Sequence, residues 1–212
     1  MSLTQSAERA ALNKLIDYLD DNPQENIDKI MDLVNKLVPN RVFPVQREAF
    51  TNVIKSRGNW YDLIMRVFSL NPQMRTKLLK TLIVDANLLA WPEQEKNREK
   101  YQCNVPWAIL LDPTSACNLH CIGCWAAEYG HTLNLSFDVM DKIVREGKAL
   151  GCHFYLLTGG EPLMRKKDIL RLCRKHPDCE FHAFTNGTLI DDAFCDEVTD
   201  VGNLSFSLSI EG

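Results

Sequence analysis

Along residues 4–91 apolar side chains return every three to four positions, and this period predicts successive helices: ALNKLIDYL, ENIDKIMDLVNKLV, REAFTNVIK, YDLIMRVFSL and MRTKLLKTLIVDANLLAW. Turn-forming pairs fall between them, at Asn22-Pro23, Pro39-Asn40, Gly58-Asn59 and Asn71-Pro72. The next stretch, PEQEKNREKYQCN, is polar and has no sustained apolar face, so a linker or frayed helix is expected there. The spacing of core-type residues marks residues 1–104 as a helical packing domain plus linker. It carries no cluster of chemically active side chains.

From residue 105 the period changes. PWAILLDP, CHFYLLTGG, CEFHAFTNG and NLSFSLSIEG are short apolar and aromatic runs ending in Gly, Pro or Asp, and helical stretches separate them. SFDVMDKIVREGKALG shows the helix signals: Ser136 as N-cap, Phe137, Met140, Ile143, Val144 and Leu150 on one face, and Gly151 past the end. Strands alternating with helices imply a parallel sheet with right-handed crossovers. In the fourth strand Ser205, Ser207, Ser209 and Glu211 face one way and Phe206, Leu208 and Ile210 the other. The apolar side is expected to lie under helices. The polar side lines either a solvated lumen or a small packed interior.

Composition narrows the class without naming it. With 212 residues, 45% hydrophobic and 25% charged, the chain is globular. No stretch approaches a spanning helix and the first residues lack a signal-peptide pattern, so a cytoplasmic protein is expected. Residues 1–106 carry 15 basic against 13 acidic side chains, and residues 107–212 carry 9 against 15. Neither half has the basic excess of a nucleic-acid-binding domain. The basic run Arg165, Lys166 and Lys167 is expected to be a solvated helix start.

The eight cysteines change the picture, because three of them, Cys117, Cys121 and Cys124, fall within SACNLHCIGCWAAEYG at a C-x3-C-x2-C spacing. In a reducing compartment such a group suits a soft metal site better than disulfides. Structural zinc wants four protein ligands, and His120 or His131 would have to complete the set at an unusual spacing. A four-iron four-sulfur cluster on three cysteines leaves one iron open for substrate or cofactor. The triplet directly follows the first strand, on the carboxyl-end face where parallel α/β folds bind ligands. GGEP (residues 159–162) and TNG (residues 185–187) end the second and third strands on that same face. There Gly159 and Gly160 permit close backbone approach, Glu161 can accept from an ammonium group, and Pro162 turns the chain away.

CNLHCIGC, TGGEP, FTNG and SLSIEG, in that order, resemble the radical S-adenosylmethionine (radical SAM) superfamily, in its GGEP-type subgroup with peptide-modifying and molybdopterin-pathway members. The resemblance covers residues 105–212 and implies a partial parallel (β/α) barrel of the TIM-like kind. The family's core has more strands than this chain, so a fragment truncated after the fourth strand is expected. By this resemblance Cys117, Cys121 and Cys124 would hold the 4Fe-4S cluster. Glu161, with Gly159, Gly160 and Pro162, would receive the methionine ammonium of S-adenosylmethionine, and Thr185, Asn186 and Ser209 would contact its ribose or methionine part. An aromatic usually precedes the third cysteine; here Gly123 stands there and Trp125 follows. Reductive cleavage would yield a 5′-deoxyadenosyl radical that abstracts hydrogen from a substrate peptide or small molecule, with a flavodoxin or ferredoxin as electron donor. A non-catalytic iron-sulfur module for electron transfer or sensing is the alternative reading; it would not need GGEP or the serine-lined strand.

Overall fold

The structure, a computed structural model, describes residues 3–38, 42–124, 126 and 130–210. Trp125, Glu211 and the Pro39-Asn40 turn therefore lie outside the described residues. The chain forms two compact units, Met1–Thr76 and Lys77–Gly212.

In the first unit α1 (Leu3–Asp21), α2 (Pro23–Leu37), α3 (Pro44–Ser56) and α4 (Asn59–Val67) follow one another. Proline opens α2 and α3, where its missing N–H leaves no helical bond unmade. The apolar stripes meet around Leu19, Ile27 and Ile54, with Ile30, Met31, Tyr61, Ile64 and Phe68 packed against them. A fifth helix, α5 (Pro72–Leu79), starts on Asn71, whose Oδ1 accepts from the Gln73 N–H at 3.0 Å.

The second unit is built on four parallel strands in spatial order β1-β2-β3-β4: β1 (Ala108–Thr114), β2 (Phe154–Gly159), β3 (Glu180–Thr185) and β4 (Leu204–Leu208). After the helical stretch Lys80–Leu89, which is π-type, comes α6 (Ala90–Tyr101). The helices α7 (Phe137–Leu150), α8 (Lys166–Lys175) and α9 (Asp192–Val201) connect the strands. Ser136 caps α7, its Oγ accepting from the Val139 N–H at 3.3 Å. Tyr155, Leu157, Phe181, Ala183 and Leu204 are fully buried, and the Tyr155 and Phe181 rings stack at 5.5 Å. Burial of the leucine and aromatic side chains among these contributes about 1.5–3 kcal/mol each.

One expectation is narrowed and another corrected. Of the two readings of the polar stretch after Trp91, linker or frayed helix, the helical one holds: it is helix α6 as far as Tyr101. Gln94 and Asn97 are buried and donate to the carbonyls of Gly151 (2.7 Å) and Ala149 (3.2 Å) at the end of α7. Hydrogen bonds to helix-end carbonyls hold α6, and these leave no apolar periodicity to detect. Gly151 makes the approach possible: its φ is +93°, and a Cβ there would meet the Gln94 backbone nitrogen at 2.9 Å. The correction concerns β4. Phe206 is covered by Phe194 of α9, ring centroids 5.9 Å apart, but Leu208 and Ile210 are 57% and 89% exposed. They extend past the part of the strand that α9 meets.

One ion cluster on the helical layer yields a pH prediction. Burial pushes the Asp141 carboxyl up, but hydrogen bonds from Lys175, His176 and Arg145 outweigh this and hold its pKa at about 2. A depressed carboxylate contributes stability above its ordinary pKa and loses it as the pH falls through the folded value. The stability gap between the parent and Asp141→Asn is therefore expected to be constant from neutral pH down to about 4 and to close towards pH 2. Urea midpoints at a series of pH values would measure it, and a gap unchanged at the acid end would refute the assignment.

Candidate functional site

The cysteine triplet, GGEP and TNG sit at the carboxyl ends of β1, β2 and β3. β1 ends in Thr114, buried, whose Oγ1 accepts from the Ala116 N–H at 3.0 Å and turns the chain into the cysteine loop. The loop's base is stitched on both sides. Ser115 N–H donates to the Leu133 carbonyl (2.8 Å), Leu135 N–H to Pro113 (3.1 Å), and Leu133 N–H to Ser115 Oγ (3.0 Å). Arg165 completes the closure, donating from Nη1 to the carbonyls of Pro113 (3.2 Å) and Leu135 (2.9 Å). The expectation of a merely solvated basic run is thus corrected for Arg165. Five guanidinium donors in a fixed fork suit it to gather carbonyls that the loop leaves over.

Cys117, Cys121 and Cys124 lie on this one loop, outside any helix or strand, and line one small pocket with His120, His131 and Gly160. The Cys117 Sγ accepts the Leu119 N–H at 3.4 Å, and Cys124 N–H donates to the Cys121 carbonyl at 3.3 Å. Among the described residues no three His, Cys, Asp or Glu side chains form a site for a single metal ion. A cubane cluster is held differently, by thiols at separate corners, and three thiols facing one pocket suit it. An N–H aimed at a sulfur is a further feature of such sites. The pocket adjoins a cavity of about 420 Å³ lined by Asp112, Leu133, Asn134 and Gly159, with Ser115, Gly160 and Ala126 bordering both. Partial burial pushes the Asp112 carboxyl up.

The GGEP residues meet the cysteine loop backbone to backbone. Gly160 N–H donates to the Thr114 carbonyl (3.0 Å) and Glu161 N–H to the Ala116 carbonyl (2.8 Å). Glu161 is 1% exposed. Its Oε1 accepts from the Leu163 N–H (2.9 Å) and Thr185 Oγ1 (2.6 Å), and its Oε2 from the Asn186 N–H (2.9 Å). A single carboxylate therefore caps the turn Pro162–Arg165 and fastens the end of β2 to the end of β3. Three of its roughly four acceptor positions are filled. The Ser209 N–H extends the ladder to the Thr185 carbonyl at 2.8 Å, with the Ser209 side chain exposed.

Two contributors escaped the sequence reading. Asn118, beside the first cysteine, accepts from Asn186 Nδ2 (3.0 Å) and donates to Thr188 Oγ1 (2.7 Å), and that hydroxyl donates to Asn186 Oδ1 (2.7 Å). This ring ties the cysteine loop to the turn after β3. The Asn-Gly-Thr order signals a turn, but nothing in it announces the loop as its partner.

Comparison with known proteins places this geometry. The model of the Radical SAM superfamily matches residues 111–212. An AdoMet-dependent heme synthase of Methanosarcina barkeri is 30% identical over 113 residues, which is 51% of this chain and 32% of that protein. A GTP 3′,8-cyclase of Petrotoga mobilis is 36% identical over 99 residues, 43% of this chain and 30% of that protein. The matched part thus spans about a third of these relatives' length. Among solved structures, Streptococcus suis SuiB bound to precursor peptide SuiA aligns with a TM-score of 0.47 and 19% identity, over 66% of this chain and 30% of that one. Members of the superfamily use a 4Fe-4S cluster and S-adenosylmethionine. Cysteine loop, glycine-bearing strand end and parallel sheet thus belong together: residues 111–212 are a radical SAM superfamily domain.

Proposed function

We propose that the protein is a radical SAM enzyme of the GGEP-type subgroup, with Cys117, Cys121 and Cys124 holding the cluster. The observation that carries this reading is the meeting of three thiols on one loop around a pocket that opens beside a ligand-sized cavity at the carboxyl ends of the strands. Cluster and S-adenosylmethionine together supply a 5′-deoxyadenosyl radical for hydrogen abstraction from a peptide or small molecule. The chain's own residues bind, orient and exclude water. Glu161, pinned by three donors, offers its remaining lone pair to the methionine ammonium beside Gly159, Gly160 and Pro162. Thr185, Asn186 and Ser209 flank it for the ribose or methionine part. Arg165 and Asn118 hold the loop at a fixed distance from that carboxylate. We assign residues 105–212 to the amino-terminal part of the core and residues 1–104 to a helical packing region. The proposed setting is the cytoplasm, with a flavodoxin or ferredoxin as reductant.

Anaerobic incubation of the full-length protein with iron, sulfide, reductant and S-adenosylmethionine is expected to release 5′-deoxyadenosine. A brown protein that binds the cluster but never cleaves the cofactor would favour an electron-transfer module. Glu161→Gln is expected to keep its iron while binding S-adenosylmethionine roughly ten- to hundredfold more weakly, since a hydrogen bond to a charged group is worth about 1.5–3 kcal/mol. Equal affinity in an anaerobic titration would move the ammonium contact elsewhere.

A further inference from the structure

The face of the sheet opposite α7, α8 and α9 holds a polar chain with no part in the proposed cofactor site. Leu110, Leu156, His182 and Ser205 form one cross-strand row on it, and Phe184 and Ser207 pair in the row beyond. Glu180 lies at the inner end of β3 and is 0% exposed. Its carboxylate takes the hydroxyls of Thr81 at 2.8 Å and Ser205 at 2.9 Å. Ser205 Oγ also meets His182 Nδ1 at 2.9 Å, and His182 Nε2 meets Ser207 Oγ at 2.8 Å. Phe184, 43% exposed, stands edge-on to the imidazole with centroids 5.3 Å apart.

Donor and acceptor counting gives this chain a direction. Ionised, as it is above pH 7, the Glu180 carboxylate only accepts, so the single hydroxyl hydrogen of Ser205 then goes to Glu180 and the Ser205 lone pair accepts from His182 Nδ1–H. That leaves Nε2 as the acceptor for the Ser207 hydroxyl. Every hydrogen in the chain points inward, from the half-open face towards the buried carboxylate. Burial raises the Glu180 carboxyl to about 7 against the pull of its two hydroxyl donors, and burial lowers His182, so the resting imidazole is neutral. A buried carboxyl that ionises near neutral pH is costly to keep.

We propose that Ser207, His182, Ser205 and Glu180 form a proton-accepting relay on the inner face of the sheet, serving a substrate that carries a hydroxyl or amine on the carbon from which hydrogen is abstracted. This rests on the radical SAM reading. Loss of a hydrogen atom from such a carbon acidifies the adjacent O–H or N–H, and a base placed there directs the outcome. In the step, the substrate proton passes to Ser207 Oγ as the Ser207 proton passes to His182 Nε2. The bonding pair stays on the substrate heteroatom, imidazolium forms, and no electron is exchanged. His182 Nδ1–H already points through Ser205 at Glu180, which stabilises the new charge.

The test needs neither cluster nor substrate, so its result is independent of whether the protein takes up iron. Diethyl pyrocarbonate transfers an ethoxycarbonyl group to an unprotonated imidazole nitrogen, releasing carbon dioxide and ethanol. Digestion and mass spectrometry of the full chain then read each histidine separately. His182 is expected to react at neutral pH. Ser205→Ala, which cuts the link to Glu180 without touching either end, should slow it about tenfold relative to the parent protein treated in the same way. Ser207→Ala should free Nε2 and speed it. Long-range proton–nitrogen correlation on the isotope-labelled parent is expected to show the Nδ1–H tautomer. A Nε2–H tautomer, or a Ser205→Ala protein reacting as fast as its parent, would overturn the relay.

Discussion

Cys121→Ala is expected to leave the protein without an iron-sulfur chromophore, and Cys117→Ala and Cys124→Ala to do the same. The contrast with the other five cysteines makes this a test of position and not of thiol number. A thiol binds iron as thiolate, and burial pushes the Cys152 thiol up and those of Cys173 and Cys179 well above the ordinary thiol range. These three are buried among core side chains and have no approach to the loop pocket. Replacing Cys173 with Ala should therefore cost stability but keep the iron. Cys103→Ala and Cys195→Ala, both at exposed positions, should change neither. Iron and sulfide per chain after anaerobic reconstitution, with the visible spectrum, would decide it. A Cys121→Ala protein with parental iron content would remove the basis for the proposed site. A Cys173→Ala protein that lost its iron would show a ligand outside the loop.

Much of this was legible because the chain repeats a simple physical rule. Period-four and period-two patterning located the helices and strands, and Ser136 and Gly151 marked the ends of α7 as capping chemistry requires. The loop, the strand ends and the order of motifs placed three thiols and a carboxylate on one face. What stayed hidden was polar and long-range. Gln94 and Asn97 look like surface residues until the carbonyls of Gly151 and Ala149 are known to be opposite them. Arg165 looks like one charge in a basic run until Pro113 and Leu135 turn their carbonyls towards it. The serines of β4 were visible as a polar face, yet their partner His182 stands 23 and 25 residues away. Hydrogen bonding depends on direction and on distant chain segments, so it leaves no period in a sequence.

Gly160→Ala is expected to be the most damaging single-methyl change in the second unit. The glycines were read as room for a ligand, and the structure gives Gly160 a neighbour of its own: an added Cβ would stand 2.3 Å from the Ala116 carbonyl oxygen and 2.6 Å from its carbon. Both are backbone atoms, so no side-chain rotation relieves the clash. Two hydrogen bonds, Gly160 N–H to Thr114 and Glu161 N–H to Ala116, hold the strands at that distance and would stretch or break. Overpacking a tight site costs about 1–3 kcal/mol, and the displaced segment leads directly into Cys117. Gly130→Ala is the control, since its φ of +69° strains an alanine but nothing lies within 4 Å. It should lose about 1–2 kcal/mol and keep its iron. The Gly160→Ala protein should show both a lower unfolding midpoint and reduced iron uptake by the fraction that remains folded. If it instead matched the parent in both, the ends of β1 and β2 would not be packed as tightly as described, and the glycines would return to being space for the ligand.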